Sequence, residues 1–499
     1  MDRQQSSREY PMSIGKKDTA RLLIHHLSLG GGVDTVRRMF YVVVVSLVLC
    51  FLLLLPGEVS SPAGTALTSS GCDGRYIFVQ ELPARFNVDL LRNCCVFSRW
   101  AGDACHLADN GGFGRGLGGD WYATDQFTLE LIFHSRMRQY ECLTDDPDRA
   151  AAVFVPFYPG IEMGHHLWGS NVSVRDAAPL ELSQWLRSRP EWTKMGGRDH
   201  FMVAGRITWD FRRWTEDGDW GSKLLLLPEL KSMTTLIIES SPWHRNDMAI
   251  PYPTYFHPST VAELTAWQNR VLKQSRPWLF SFAGAPRWRP PNSTASLRDL
   301  SIEQCRASAR CKLLDCAGER AGSCFSPRRI MALFESSVFC LQPVGDSPTR
   351  RSTFDAMVAG CVPVFFHPGS AYTQYAWHLP RDYRRYSVFL PEEVVRQGNE
   401  SIELALRKIT AEEVAAMRKE VVGMLPRLVY GDRRRGAAEF DDAFDVAVEK
   451  VIERVQKQRK QIREGTADDV AEEKYTWKQS LVGTNVGDDE WDHYFSHWG

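Results

Sequence analysis

Short uninterrupted apolar runs alternate with longer segments whose apolar positions recur at helical spacing. The first set is YIFV (76–79), AAVFVPF (151–157), HFMVAG (200–205) and TTLIIESS (234–241), with helix-like text such as DQFTLELIFHSRMRQY (125–140) between them. A strand with one solvated face alternates apolar and polar residues, whereas a continuous run must be buried on both faces. Such runs separated by helices predict a parallel sheet covered on both sides. The pattern restarts with PWLFSFAG (277–284), SVFCLQPV (337–344), CVPVFF (361–366) and YSVFLP (386–391). PYPTYFHPST and the polar helix after it, up to about Arg276, read as the crossing between two units. The expected organisation is therefore two α/β domains, 72–275 and 276–460. Closing helices of the second begin at Thr410, which forms a capping box with Glu413, and a polar tail occupies 461–499.

Ahead of these units, MFYVVVVSLVLCFLLLL (39–55) carries no charge and is long enough to cross a hydrocarbon core. Arg3, Arg8, Lys16, Lys17, Arg21, Arg37 and Arg38 precede it, and Glu58 is the first charge after it, so the positive-inside bias predicts a cytosolic tail over 1–38. The run reads as a transmembrane signal-anchor, with PGEVSSPAGTALTSSG (56–71) as a stem. A cleaved signal peptide is the alternative, opposed by the long leader before the run. Every cysteine except Cys50 follows the anchor, as do three sequons, at Asn171, Asn292 and Asn399, which fits a secretory lumen. Cys305, Cys311, Cys316 and Cys324 crowd together without metal-like spacing and are expected to pair locally. Cys340 and Cys361 lie in apolar runs and are expected to be buried thiols. An odd lumenal count leaves at least one cysteine unpaired.

The formal net charge of −1 offers no basic field for nucleic acid, so none is expected as a partner. The notable charges are local. In LQPVGDSPTRRSTFDAMVAGCVPVFF (341–366), Ser347, Pro348 and Gly360 suit the N-cap, first helical and C′ positions of a helix from Pro348 to Ala359. Arg350 and Arg351 then sit in its first turn, where the helix dipole disfavours cations, and an anionic ligand would compensate. Asp355 lies one turn beyond Arg351, an offset near 5.4 Å that suits a diphosphate followed by ribose hydroxyls. A plain salt bridge on the helix is the other reading.

With those residues the chain resembles the exostosin-like enzymes of glycosyltransferase family 47. FCLQPVGDSPTRRSTFDAMVAGCVPVFF carries the resemblance, supported by PWLFSFAGAPR (277–287), GRDHFMVAGRITWDFRR (197–213) and AAVFVPFYPG (151–160). It spans about residues 72–455, and its wording is most similar to the plant xyloglucan galactosyltransferases of the MURUS/KATAMARI type. The resemblance implies a Golgi type II enzyme of GT-B architecture, two Rossmann-like domains facing a cleft. It also implies metal-independent transfer of galactose from UDP-galactose to xylosyl branches of xyloglucan, although related plant members use other sugars. The UDP-sugar is a substrate, and no cofactor or metal is implied. Gly345, Ser347, Thr349, Arg350, Arg351 and Asp355 are the expected donor-binding residues, with Gly284 and Arg287 joining them from the carboxyl end of the preceding run. A plain tight turn explains those last two equally well.

Acceptor chemistry requires a base, and GRDHFMVAGRITWDF offers His200 and Asp210 at the two ends of an apolar run, with Glu81 after the first run as a weaker candidate. A packed histidine and a helix-capping aspartate are the alternatives. Asp217 and Asp219 have the spacing of a metal-binding Asp-X-Asp, but the text before them is polar, so a solvated loop is expected, and Asp146 and Asp148 read as a turn. His165 and His166 are adjacent and point apart, which argues against a metal site. A non-catalytic lumenal subunit working with other Golgi glycosyltransferases is the competing function.

Overall fold

The computed structural model of the chain describes residues 71–92, 104–167, 169–216, 220–286, 294–317, 324, 326–398, 400–436, 440–466 and 490–495. The anchor run 39–55, its flanks 1–38 and 56–70, Asp217, Asp219, Arg287, Asn292, Asn399 and Cys50 lie outside them. Among the described residues no helix is long and apolar enough to cross a membrane.

Two parallel five-stranded sheets organise the unit Ser69–Gly499. The first is built from β1 (Ile77–Val79), β2 (Ala152–Phe154), β3 (His200–Ile207), β4 (Thr234–Glu239) and β5 (Asp247–Ala249), side by side in chain order. The second holds β6 (Trp278–Gly284), β7 (Cys311–Asp315), β8 (Ser337–Gln342), β9 (Val362–Phe365) and β10 (Val388–Phe389), in the order β10-β9-β8-β6-β7. The strand order reverses beside β6, so a topological switch point lies between β6 and β8. Each of the eight short apolar runs between 76 and 391 thus supplies a strand, because burial on both faces is what such a run requires, whereas β5 and β7 correspond to no run of that kind.

Helices cover both faces of each sheet. Leu182 and Leu186 pack with Met202, Ala204 and Ile237 on one face of the first sheet, while Leu297 and Ile302 pack with Phe280, Phe282 and Leu341 on one face of the second. A third cluster joins the sheets, running from Phe133, Phe154 and Phe201 through Phe354 and Tyr375 to Phe444 and Val451. Phe444 and Val451 belong to α2 (Ala443–Arg463), capped by Asp442 and Asp445. This helix closes onto the first sheet: Arg454 Nε donates to Thr234 Oγ1 (3.1 Å) and Arg459 to the Ala150 carbonyl (2.9 Å). From the sequence it is expected to close the second domain. The helix before it (Ala411–Gly423) has the expected Thr410–Glu413 capping box.

Two local expectations change. The helix after β8, α1, runs from Arg351 to Val358, with Arg350 at the N-cap position and no side-chain cap. Ser347 and Thr349 are instead drawn to a carboxylate on the first sheet, which holds residues 345–349 out of the helix. Gly360 follows at φ +66° as expected. Cys340 and Cys361 are joined as a disulfide, Cα atoms 6.0 Å apart, not left as thiols. Parallel pairing sets Cys340 opposite Pro363, close to Cys361, a register that spacing alone does not reveal. Cys72–Cys142 also pair, and the Cys305–Cys311 and Cys316–Cys324 bridges are local as anticipated. Asn171 caps a helix, its Oδ1 accepting from Val174 N (3.0 Å).

Candidate active site

The carboxyl edges of the two sheets bring together residues far apart in sequence. A cavity of about 430 Å³ lies there, lined from the first sheet by Thr208, Trp209, Glu239 and His244 and from the second by Asp346, Ser347, Gly369 and Gln374. Glu239 ends β4 and is buried. Its Oε2 accepts from Thr349 N (2.9 Å) and Thr349 Oγ1 (2.5 Å), and Ser347 also hydrogen-bonds to it. Burial pushes this carboxyl above its ordinary range, and the Ser347 and Thr349 donors oppose the shift. Two further ties join the edges: Gln374 Oε1 accepts from Ser240 N (2.8 Å), and Tyr375 OH donates to the Ile238 carbonyl (2.9 Å). His244 Nδ1 is 2.7 Å from Ser241 Oγ.

At the switch point, β8 ends in the loop 343–350. Arg350 Nη1 donates to the Pro343 carbonyl (3.1 Å). A Cβ on Gly345 would meet Arg298 Nη2 at 3.0 Å and Arg350 Nη1 at 3.1 Å, so the glycine allows two guanidiniums to converge on this loop. Crevices outside the carboxyl ends at a switch point are where open α/β sheets bind ligands. Gly284, ending β6 beside it, has a packing reason: its Cβ would lie 2.5 Å from Phe282 Cζ.

Arg351 and Asp355 turn away from the cavity and close on each other. Arg351 Nε donates to Asp355 Oδ2 (3.1 Å), Nη1 donates to the Thr124 carbonyl, and Cζ stands 3.6 Å from the Tyr255 ring centroid. Burial holds the Asp355 carboxyl up at about 6 even with Arg351 lowering it. The salt-bridge reading of this pair is the one the geometry supports.

The acceptor-side candidates separate. Asp210 follows β3 in the turn Thr208–Phe211, buried behind the cavity wall, with Trp220 Nε1 donating to it (2.7 Å) and Arg206 Nη1 at 3.6 Å. Burial raises its pKa and Arg206 opposes that. His200 opens β3 at the opposite, amino end, fully buried with Nδ1 2.8 Å from Asp199 Oδ1 and its ring against Trp192. An eight-residue strand separates it from the cavity, so it is a packed histidine. Glu81 is exposed after β1 and does not line the cavity. Asp148 N donates to Asp146 Oδ1 (2.9 Å), the expected turn, and His166 lies 3.5 Å from Glu162.

The family model described as Exostosin GT47 domain matches residues 71–406, which include every strand of both sheets. The chain belongs to the exostosin GT47 family. It is a glycosyltransferase. It is 52% identical over 442 residues, 86% of this chain and 70% of the relative, to the Arabidopsis thaliana protein named xyloglucan galactosyltransferase MUR3. It is 46% identical to probable xyloglucan galactosyltransferase GT12 of the same plant, covering 82% of each chain. A third Arabidopsis relative, xyloglucan-specific galacturonosyltransferase 1, is 43% identical over 77% of this chain and 58% of its own length.

Glu239 and His244 on the cavity wall, and Arg298 beside Gly345, are not among the residues expected from the sequence. Glu239 ends an apolar run as Glu81 does, so the rule that picked Glu81 reaches it too. Arg298 sits in the first turn of the helix Leu297–Ala307, and nothing in its surrounding sequence distinguishes it.

Proposed function

We propose that the chain transfers galactose from UDP-galactose onto xylosyl side chains of xyloglucan, with inversion, as a single-pass type II protein of the Golgi membrane. The carrying observation is 52% identity over 86% of the chain to a relative named for that reaction. The two parallel sheets meeting at their carboxyl edges support a GT-B architecture. The UDP diphosphate is assigned to the loop Gly345–Thr349 with Arg350 and Arg298, whose converging guanidiniums supply the charge that a metal supplies in other transferases. Arg351 and Asp355 position the helix behind that loop. Attack opposite the departing diphosphate inverts the anomeric centre. The acceptor proton passes to a group on the first-sheet side of the cavity, where Glu239 and His244 face inward with Asp210 behind them.

The galacturonosyltransferase relative makes the donor sugar the point to test. Among the described lining residues the one arginine, Arg212, is committed to Asp247, with Nη2 to Oδ1 at 2.9 Å. A uronic acid carboxylate would meet Glu239 and Asp346 without a dedicated cation, which favours a neutral hexose. The full chain, incubated with xyloglucan oligosaccharides and either UDP-galactose or UDP-galacturonic acid, with and without chelator, should yield products one hexose heavier from UDP-galactose alone. Chelator should leave the rate unchanged. Products only from UDP-galacturonic acid, or none from either donor, would overturn the assignment.

A further inference from the structure

Trp209 and Trp214 are 59% and 61% exposed, whereas Trp192, Trp267 and Trp491 are all buried. Both exposed indoles line the inter-sheet cavity on its first-sheet side. Their exposure is not slackness of the segment, because the residues between and beside them are fixed. Arg212 is paired with Asp247 (2.9 Å), and Arg213 donates to Asp176 (3.2 Å) and to the Gly221 carbonyl (2.9 Å). Trp220 holds Asp210 (2.7 Å), and the backbone closes through Arg213 N to Ser222 O (3.0 Å) and Ser222 N to Asp210 O (2.9 Å). Gly221, at φ +76°, lets that return strand pass where a Cβ would lie 2.8 Å from the Asp210 carbonyl oxygen. The inward-facing side chains anchor the segment, and the two indoles are held in solvent at the mouth of the cavity.

Exposed apolar surface at the rim of a groove marks a ligand surface. Pyranose rings present an apolar face of C–H bonds rimmed by hydroxyls, which matches an indole with its apolar body and one N–H donor. We propose that Trp209 and Trp214 form a preorganised aromatic platform that binds the sugar chain of the acceptor polysaccharide and aims its reacting hydroxyl at the cavity beside Glu239 and His244. The platform rests on the glycosyl-transfer reading of the same site. The donor's uracil is the competing occupant, and it is disfavoured because the guanidinium pair that suits the diphosphate lies at the β6–β8 switch point of the other sheet. A protein partner seated on the indoles would close the mouth through which the acceptor must enter.

The test uses the full chain, its Trp209→Ala/Trp214→Ala double variant and the Trp209→Phe/Trp214→Phe double variant. Migration through native gels containing soluble xyloglucan reads acceptor binding without requiring transfer. The wild type and the phenylalanine variant should be retarded and the alanine variant should not. The acceptor KM of the alanine variant should rise about tenfold or more, with UDP affinity by calorimetry unchanged. If the alanine double variant does not fold, the single variants Trp209→Gln and Trp214→Gln carry the same comparison. Equal retardation and equal KM in wild type and folded variants would overturn the platform, as would a wild type that xyloglucan does not retard or a loss of UDP affinity. A wild type that is retarded through these indoles but transfers no galactose would uphold the platform and sink the proposed reaction.

Discussion

Replacing Arg351 with alanine should cost stability and leave donor binding intact. In the folded chain this side chain is 10% exposed and that of Asp355 is 4% exposed. Arg351 makes the ion pair to Asp355, the hydrogen bond to the Thr124 carbonyl and the stack on Tyr255, with Cζ 3.6 Å from the ring centroid. Removing one partner of a buried pair costs about 3–5 kcal/mol. The desolvated cation–π contact, worth about 2 kcal/mol, falls within that figure and does not add to it. At about 2.1 cal/mol/K per residue, the unit Ser69–Gly499 unfolds with roughly 0.9 kcal/mol/K. The melting temperature should therefore fall by about 3–6 °C. The loss should also depend on pH in a stated direction. The Asp355 carboxyl already stands at about 6 in the fold, above its ordinary 3.8, so its folded form binds protons more readily than its unfolded form. Without Arg351 that pKa rises further: up to about pH 6 both folded forms keep the proton and weaken in parallel, so the variant should weaken relative to wild type as pH increases from about 6 through neutrality. Scanning fluorimetry across pH, with UDP calorimetry well below the melting temperature, measures both quantities. A variant that melts with the wild type and binds UDP ten times more weakly would refute the structural role and return Arg351 to the diphosphate.

Arg350→Ala should do the reverse: melt close to wild type and weaken UDP binding by about 1.5–3 kcal/mol, ten- to a hundredfold or more, as for a charged hydrogen bond to phosphate. Unchanged UDP affinity in calorimetry would remove the diphosphate from this loop. Burial pushes His134 and His367 down to about 4 and His257 and His378 down to about 3, so these rings are neutral in the fold and protonate near 6.5 once unfolded. Their contribution is present above pH 6.5 and lost on acidification, about 1.4 kcal/mol each by pH 5.5. Glu130, raised to about 7, and Asp355 and Asp445, raised to about 6, shift the other way and offset roughly half of that loss. The melting temperature should still fall between pH 7 and 5.5, and a rise over that range would contradict the balance.

Eight of the ten strands were legible because burial on both faces writes itself into a sequence as continuous apolar runs, and the edge strands β5 and β7, which carry no such run, were not. The site was only half legible. Glycine, serine and arginine at the mouth of a strand mark residues 345–350 for the diphosphate proposed above, but the helix starts at Arg351 and not at Pro348. Glu239, more than a hundred residues earlier, competes for Ser347 and Thr349, and no local preference encodes that partner. Arg350 and Arg351 look alike in sequence, yet one faces the switch-point loop and the other stacks on Tyr255, a difference set by which way the first helical turn is rotated. His200 and Asp210 belong to one motif, and the strand between them carries them to opposite edges of the sheet. Cys340 and Cys361 needed the register of β8 against β9. The tryptophans at 209 and 214 gained meaning only from exposure.

Donor, acceptor and stereochemistry are read together by a proton NMR time course of the wild-type chain with UDP-galactose and a xyloglucan oligosaccharide, following the first anomeric signal of the product. Because the acceptor hydroxyl is proposed to attack from the face opposite the diphosphate, a single β-galactosyl signal on a xylosyl residue should grow as the α-linked UDP-galactose signal declines. An α-linked product, or consumption of UDP-galactose into free galactose with the oligosaccharide unchanged, would contradict it.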